Sequence, residues 1–319
     1  MLAQMSARNG MAFFRRFGML MILVFLVAVL SVLSPRFLTL GNLMNIARQV
    51  SINGVVAAGM TVVILSGGID LSVGSVVALT GALAAGTLAA SGNPWLSMAV
   101  GLGVGALLGT INGIFIAWPK LPPFIVTLAM MALARGLTLV YTGGRPMMLD
   151  SPVYDFLGSG RLFGVPVPVV LMAAVYLGVH LLLQATKFGR YVYAIGGNEQ
   201  ACRLSGIRVD RIKTAVYGMG GLLAGLSGII LTARLISAQP TAGVGYELDA
   251  IAAVILGGTS LSGGEGGVGS TVVGALIIGV LANGLNLLNV SPFYQEVAKG
   301  LVILVAVILD WLIHKGVKR

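Results

Sequence analysis

A single cysteine, Cys202, in 319 residues excludes an internal disulfide and a cysteine-ligated metal cluster. The two histidines, His180 and His314, lie in different segments without the His-Glu-x-x-His spacing of a zinc protease. Neither has a Ser and Asp companion from which a hydrolytic triad is assembled. No Gly-x-x-x-x-Gly-Lys-Ser/Thr loop occurs, so the chain lacks the phosphate cradle of that class of ATPase. Charge is scarce as well: 9% of residues are charged, where soluble domains carry about 25%. Asp70, Glu247, Asp249, Glu265, Glu296 and Asp310 fall at the ends of apolar runs or in turns. Proton-coupled carriers usually hold carboxylates inside their spans, so this distribution weighs against that class.

What the chain does have is apolar residues, 57% of the total, and a mean hydropathy of +0.98. That composition predicts an all-α polytopic membrane protein. A span needs about 20 residues at about 1.5 Å each. Ten segments approach this: Met19–Leu33, Val50–Ser66, Val73–Ala90, Ser97–Trp118, Phe124–Thr142, Val167–Gln184, Thr214–Ala233, Leu248–Leu261, Val268–Leu288 and Val297–Ile313. The eighth is short enough to be re-entrant instead. Arg8, Arg15 and Arg16 precede the first run, and SPRF rather than a small-residue cleavage pattern follows it, so an uncleaved first span is expected. About ten spans then form one transmembrane domain, 19–313, between cytoplasmic tails at 1–18 and 314–319. Only Arg36, Arg48, Arg145, Arg161 and Arg234 fall outside in this layout, as the positive-inside rule requires. The net charge of +10 therefore reflects membrane topology rather than nucleic-acid binding.

The longest polar stretch is 187–213, KFGRYVYAIGGNEQACRLSGIRVDRIK, with six of the twenty basic residues. It cannot lie in hydrocarbon, where its backbone and charges would lose water without replacement. Its centre reads as a short helix, with Asn198 as N-cap, Glu199 in the first turn and Gly206 as the stop. Such a helix on the cytoplasmic face is a docking element for a partner. The alternative is a plain loop whose basic residues only set topology.

Gly101, Gly105, Gly109 and Gly113 recur every four residues and predict a flat ridge for close helix contact, an idea repeated by Gly221 and Gly225. VILSGGIDLSVG (63–74) and VILGGTSLSGGEG (254–266) both place a Gly-Gly pair between an apolar run and a polar turn. Interrupted helices of this kind mark substrate or gating regions in some transporters; tight turns capped by Asp70 and Ser262 are the other reading. Arg135 is the one charge well within a span and is expected to face protein or a watery cavity. Asn283, Asn286 and Asn289 recur every three residues on one predicted helix, and Asn53 and Asn112 add amides to two others. Their place is either a weakly polar solute path or interhelical hydrogen bonding.

Three long strings, AGMTVVILSGGIDLSVGSVVALTGA (58–82), YVYAIGGNEQACRLSGI (191–207) and ISAQPTAGVGYELDAIAAVILGGTSLSGGEG (236–266), resemble the permease subunits of bacterial simple-sugar ABC importers, ribose importers in particular. The likeness runs from about Phe37 to Asp310. It implies a ten-span fold similar to that of the vitamin B12 importer permease. It also implies a homodimer in the inner membrane, a fused double ATPase subunit that binds the ATP and Mg, and a periplasmic sugar-binding protein. No cofactor is expected on this chain. The short loop helix would carry the ATPase-coupling signature, with Asn198, Glu199, Ala201, Arg203 and Gly206 as its residues. Gln200 stands where the motif usually has Ala, and the interval to Gly206 is one residue longer. The asparagines at 53, 112, 283 and 286 become candidates for the sugar path. Two predicted external loops, one with Arg145, Asp150, Asp155 and Arg161 and the other with Gln239, Tyr246 and Glu247, become candidates for binding-protein docking. A secondary, ion-coupled carrier is the competing class.

Overall fold

The computed structural model describes residues 2–315, with side-chain surroundings for 18–305, 307 and 308. The side chains of Arg8, Arg15, Arg16, Asp310 and His314, and the tail residues Lys318 and Arg319, lie outside the described residues. The chain runs α1 (Leu2–Leu33), α2 (Leu40–Leu65), α3 (Val73–Ser91), α4 (Pro94–Ala117), α5 (Pro123–Thr142), β1 (Met147–Met148) and α6 (Pro152–Ser159). It continues through β2 (Arg161–Leu162), β3 (Val165–Pro166), α7 (Val167–Ala185), α8 (Lys187–Gly197), α9 (Glu199–Leu204) and α10 (Val209–Leu235). It ends with β4 (Ser237–Ala238), α11 (Tyr246–Leu256), α12 (Val268–Leu287) and α13 (Pro292–Lys315). A helix therefore lies at each of the ten predicted segments. By length and apolar composition, α2, α3, α4, α5, α7, α10 and α12 suffice to cross a membrane.

Helix α2 is the hub. Every residue from Gly54 to Ser66 is buried, because AAGMTVVIL presents apolar or small side chains in all directions. Helices α7, α10, α11 and α12 surround it. In lipid this enclosure gains little from the hydrophobic effect and depends on close packing. The glycine ridge supplies that packing between α4 and α10. A Cβ at Gly105 would stand 3.0 Å from the Gly225 Cα, and one at Gly113 would stand 2.6 Å from the Thr214 Cα. Backbones come so close only because the α4 positions have no Cβ, so the predicted ridge is the α4–α10 seam.

The eighth segment departs from the span predicted over Leu248–Leu261. Its helix, α11, has 11 residues and measures roughly 16 Å at about 1.5 Å per residue, too short to cross alone. The segment before it turns inward instead. Strand β4 pairs with β1 through Met147 and Ala238. Beyond it, Gly243 packs on Gly74 at the start of α3, and the Arg135 guanidinium donates to the carbonyls of Pro240 and Ala242 at 2.7 and 2.9 Å. The predicted protein-facing role of Arg135 is this clamp: it supplies donors to carbonyls that no helix or sheet satisfies. Arg135→Leu should lower the stability of the purified protein by about 1.5–3 kcal/mol, since hydrogen bonds from a charged donor carry that much. A thermal-unfolding midpoint in detergent equal to that of the parent would contradict this.

Candidate functional site

Two short helices, α8 and α9, and the first turn of α10 make up the 187–213 segment. Helix α9 forms where the sequence predicts it: the Asn198 side chain accepts from Ala201 N at 2.9 Å, and Gly206 closes the helix with φ +78°. Helix α8 precedes it, at Lys187–Gly197. Thr186 caps it by accepting from Gly189 N, and Val192 and Ile195 form its buried stripe with half-buried Phe188. Cys202 packs with Ile195 and Val209 beneath α9. Ala201, Leu204 and Ser205 face outward, with Leu204 at 84% exposure.

Glu199 ties α9 to α10. It accepts from Arg203 at 2.9 Å and from Lys213, while Arg203 also reaches Asp210 at 2.6 Å. Partial burial pushes the Glu199 carboxyl up, but the hydrogen bonds and charges of Lys213 and Arg203 outweigh it and hold the group below the usual carboxylate range. The Arg203 guanidinium is raised, chiefly by its bond to Asp210. Arg203 thus acts as the hinge pin between the two acidic side chains rather than as a free surface charge.

The two echo segments, 63–74 and 254–266, meet here, but the second does so through Gly263 and Gly264; its pair after the apolar run begins with Gly257, which packs on Thr271 instead. Gly264 N donates to the Leu65 carbonyl at 3.0 Å, and the Tyr193 hydroxyl of α8 donates to the Gly266 carbonyl at 3.0 Å. A Cβ on Gly263 would lie 3.0 Å from the Cα atoms of both Gly67 and Gly196. Gly67, Gly263 and Gly264 all have positive φ, which glycine adopts at no steric cost. Three Gly-Gly pairs, 67–68, 196–197 and 263–264, therefore form one backbone joint between the end of α2, helix α8 and the turn before α12. Asp70 is a turn acceptor, bonded to Ser72 N and Oγ at 2.9 and 2.6 Å. Ser262 caps no helix; its N–H donates to Ser260 Oγ, because α12 begins farther on, after Gly267.

The asparagines do not share one face. Asn283 exchanges two hydrogen bonds with Asn42 at 3.0 and 2.9 Å, and Asn286 accepts from Gln295 at 2.9 Å. Asn289 lies beyond α12 with φ +55°, which ends the predicted stripe. Asn112 donates to Ser72 at 3.0 Å. Asn53 donates to Asp249 at 3.3 Å, and Asp249 in turn accepts from Lys299 at 3.4 Å. That buried ion pair joins α11 to α13 and was not anticipated, because its partners are fifty residues apart and each sits near the end of an apolar run.

Arg145, Asp150, Asp155 and Arg161 are all exposed on the connection between α5 and α7. This connection holds α6 and the β2–β3 hairpin, which turns through Phe163 and Gly164 with φ +51° and +83°. The second predicted external loop is corrected in part. Gln239 is half-buried and donates to Ser237, whereas Tyr246 and Glu247 open α11, half-buried, with Glu247 against Gly74.

Residues 42–307 match the family model described as branched-chain amino acid transport system / permease component. The chain is 53% identical to the ribose import permease protein RbsC of Escherichia coli K12, over 91% of this chain and 92% of that protein. It is 54% identical to RbsC of Bacillus subtilis 168, over 93% and 92%. The L-arabinose transport system permease protein AraH of Escherichia coli K12 is 41% identical over 92% and 90%. No solved structure matches the chain at a significant level.

Proposed function

We propose that this chain, which belongs to the family of branched-chain amino acid transport system permease components, is the membrane permease of an ATP-driven importer that carries a monosaccharide, ribose foremost, from the periplasm to the cytoplasm. One observation carries the reading: identity of 51–54% along nearly the whole chain with ribose import permeases from three genera. The chain is a non-catalytic transport subunit of the bacterial inner membrane. A separate cytoplasmic ATPase subunit supplies ATP and Mg chemistry, and a periplasmic binding protein delivers the sugar.

Helices α8 and α9 are the ATPase-docking element in this reading. Asn198 and Gly206 delimit α9, Glu199 and Arg203 lock it to α10, and Ala201 offers a small contact surface beside Leu204. The exposed Arg145, Asp155 and Arg161 suit a transient, charge-guided contact with the binding protein. Ten spans, a homodimer and a fold like that of the vitamin B12 importer permease complete it; α1 and α13 serve as peripheral spans, and α11 with its inward loop counts as the eighth. Of the four candidate path asparagines, Asn53 and Asn112 each keep a side-chain oxygen without a partner, and Asn53 also lines a cavity, which supports a path along its face of α2.

An ion-coupled carrier would import sugar without ATP. Proteoliposomes holding the permease, the ATPase subunit and the binding protein are expected to take up labelled ribose only with ATP inside and the binding protein outside. Ionophores that collapse ion gradients should leave uptake unchanged, and the permease alone should hydrolyse no ATP. Uptake that follows an ion gradient without ATP would overturn the importer reading.

A further inference from the structure

A cavity of roughly 90 Å³ lies among α2, α11, α12 and α13, with Gln49, Asn53, Tyr246, Asp249 and Lys299 supplying polar groups and Ala282 part of its apolar wall. We propose that this cavity is a transient subsite for the hydroxyl groups of the transported neutral sugar, with Asn53 and Asp249 as its acceptors and Lys299 as a donor. The inference rests on the importer reading above and gives that path a definite place.

Three observations carry it. The Asn53 Oδ1 atom is buried and has no partner. Leaving an amide oxygen unpaired costs about 1–3 kcal/mol, so a turn of the Asn53 side chain that brings this oxygen to the cavity the residue lines, and to a hydroxyl donor there, is favoured. The bonds that do exist are loose: Asn53 to Asp249 spans 3.3 Å and Lys299 to Asp249 spans 3.4 Å, both near the outer limit for a hydrogen bond. A hydroxyl inserted between Lys299 and Asp249, donating to the carboxylate and accepting from the ammonium, replaces the longer of these bonds at little cost. Lys299 also donates to the solvent-exposed Glu296 at 3.2 Å, outside the cavity lining; within the lining Asp249 and Lys299 oppose each other, which suits a neutral polyol better than an ion. Polar groups and apolar side chains share the lining, so a sugar is held through part of its hydroxyl set and not all of it. An incomplete grip is what a passage needs, because a fully enclosed solute leaves slowly.

Two measurements on the complete transporter test this. In a Cys202→Ser background, Asn53→Cys is treated with a small water-soluble methanethiosulfonate reagent with and without ribose, in the presence of binding protein and ATP. Labelling is expected, and ribose should slow it several-fold; labelling indifferent to ribose overturns the subsite. Separately, Asn53→Ala, which removes atoms from the wall, and Ala282→Leu, which fills the space, should each lower sugar imported per ATP hydrolysed by about tenfold, the worth of one or two hydrogen bonds. A wild-type ratio in Asn53→Ala also overturns it. The importer reading fails separately, if the parent complex imports no sugar with ATP and binding protein; the labelling result then still decides whether ribose reaches this cavity.

Discussion

Gly196→Ala is expected to cut sugar uptake at least tenfold, whereas Gly197→Ala, one residue away, should leave it near the parent level. A methyl group on Gly196 would run into the Leu65 carbonyl oxygen and Gly264 N. Both are backbone atoms, so no side chain can turn aside. Overpacking of this kind costs about 1–3 kcal/mol, and it would be relieved by parting α8 from the end of α2 and from the 263–264 turn. Gly197, by contrast, has nothing within 4 Å of the position its Cβ would take. The joint links the proposed docking helices to the interior: α8 on one side, the hub α2 and the turn leading into α12 on the other. Parting it should disconnect ATPase movement from the spans while the outward face of α9 stays available. Ribose uptake in proteoliposomes, measured beside co-purification of the ATPase subunit, separates these effects. Equal uptake by the two variants would show that the joint transmits nothing.

Glu199→Lys is expected to abolish uptake and to leave membrane insertion intact. The change removes the acceptor shared by Arg203 and Lys213 and sets a third positive charge against them. The Lys213 side chain is only 12% exposed and so loses its partner where water replaces it poorly. Because Glu199 itself is one-third exposed, solvent screens part of the loss, and about 1–3 kcal/mol is the expected cost. Helix α9 is one and a half turns long and cannot hold its place without that lock. The carboxyl titrates below the usual carboxylate range in the folded protein. Its contribution is therefore full above the ordinary Glu pKa and is lost as pH falls through the lowered folded value. Near neutral pH the parent should be insensitive to pH on this account. Retained uptake with the ATPase still co-purifying would reduce α9 to a linker.

Local chemistry was enough to locate the helices and the proposed docking element. Asn198, Glu199 and Gly206 specify α9 because a cap, a first-turn acid and a left-handed stop act within a few residues of one another. Helix α8 lay equally open in Thr186 and the stripe of Phe188, Val192 and Ile195. The four-residue glycine period foretold the α4–α10 seam, since a helix turns identical positions to one face. Contacts between distant segments were not legible. The peptide 239–245 has the polar, Gly- and Pro-containing make-up of an external loop, and only the Arg135 clamp and Gly74 draw it inward, carrying Tyr246 and Glu247 with it. A three-residue spacing suggested one polar stripe from Asn283 to Asn289. The partners decided otherwise, with Asn42 taking the first amide and Gln295 the second. Periodicity sets the direction in which a side chain leaves its own helix, but what it meets depends on how the other helices pack around α2. The meeting of Asn53, Asp249 and Lys299 belongs to that packing alone.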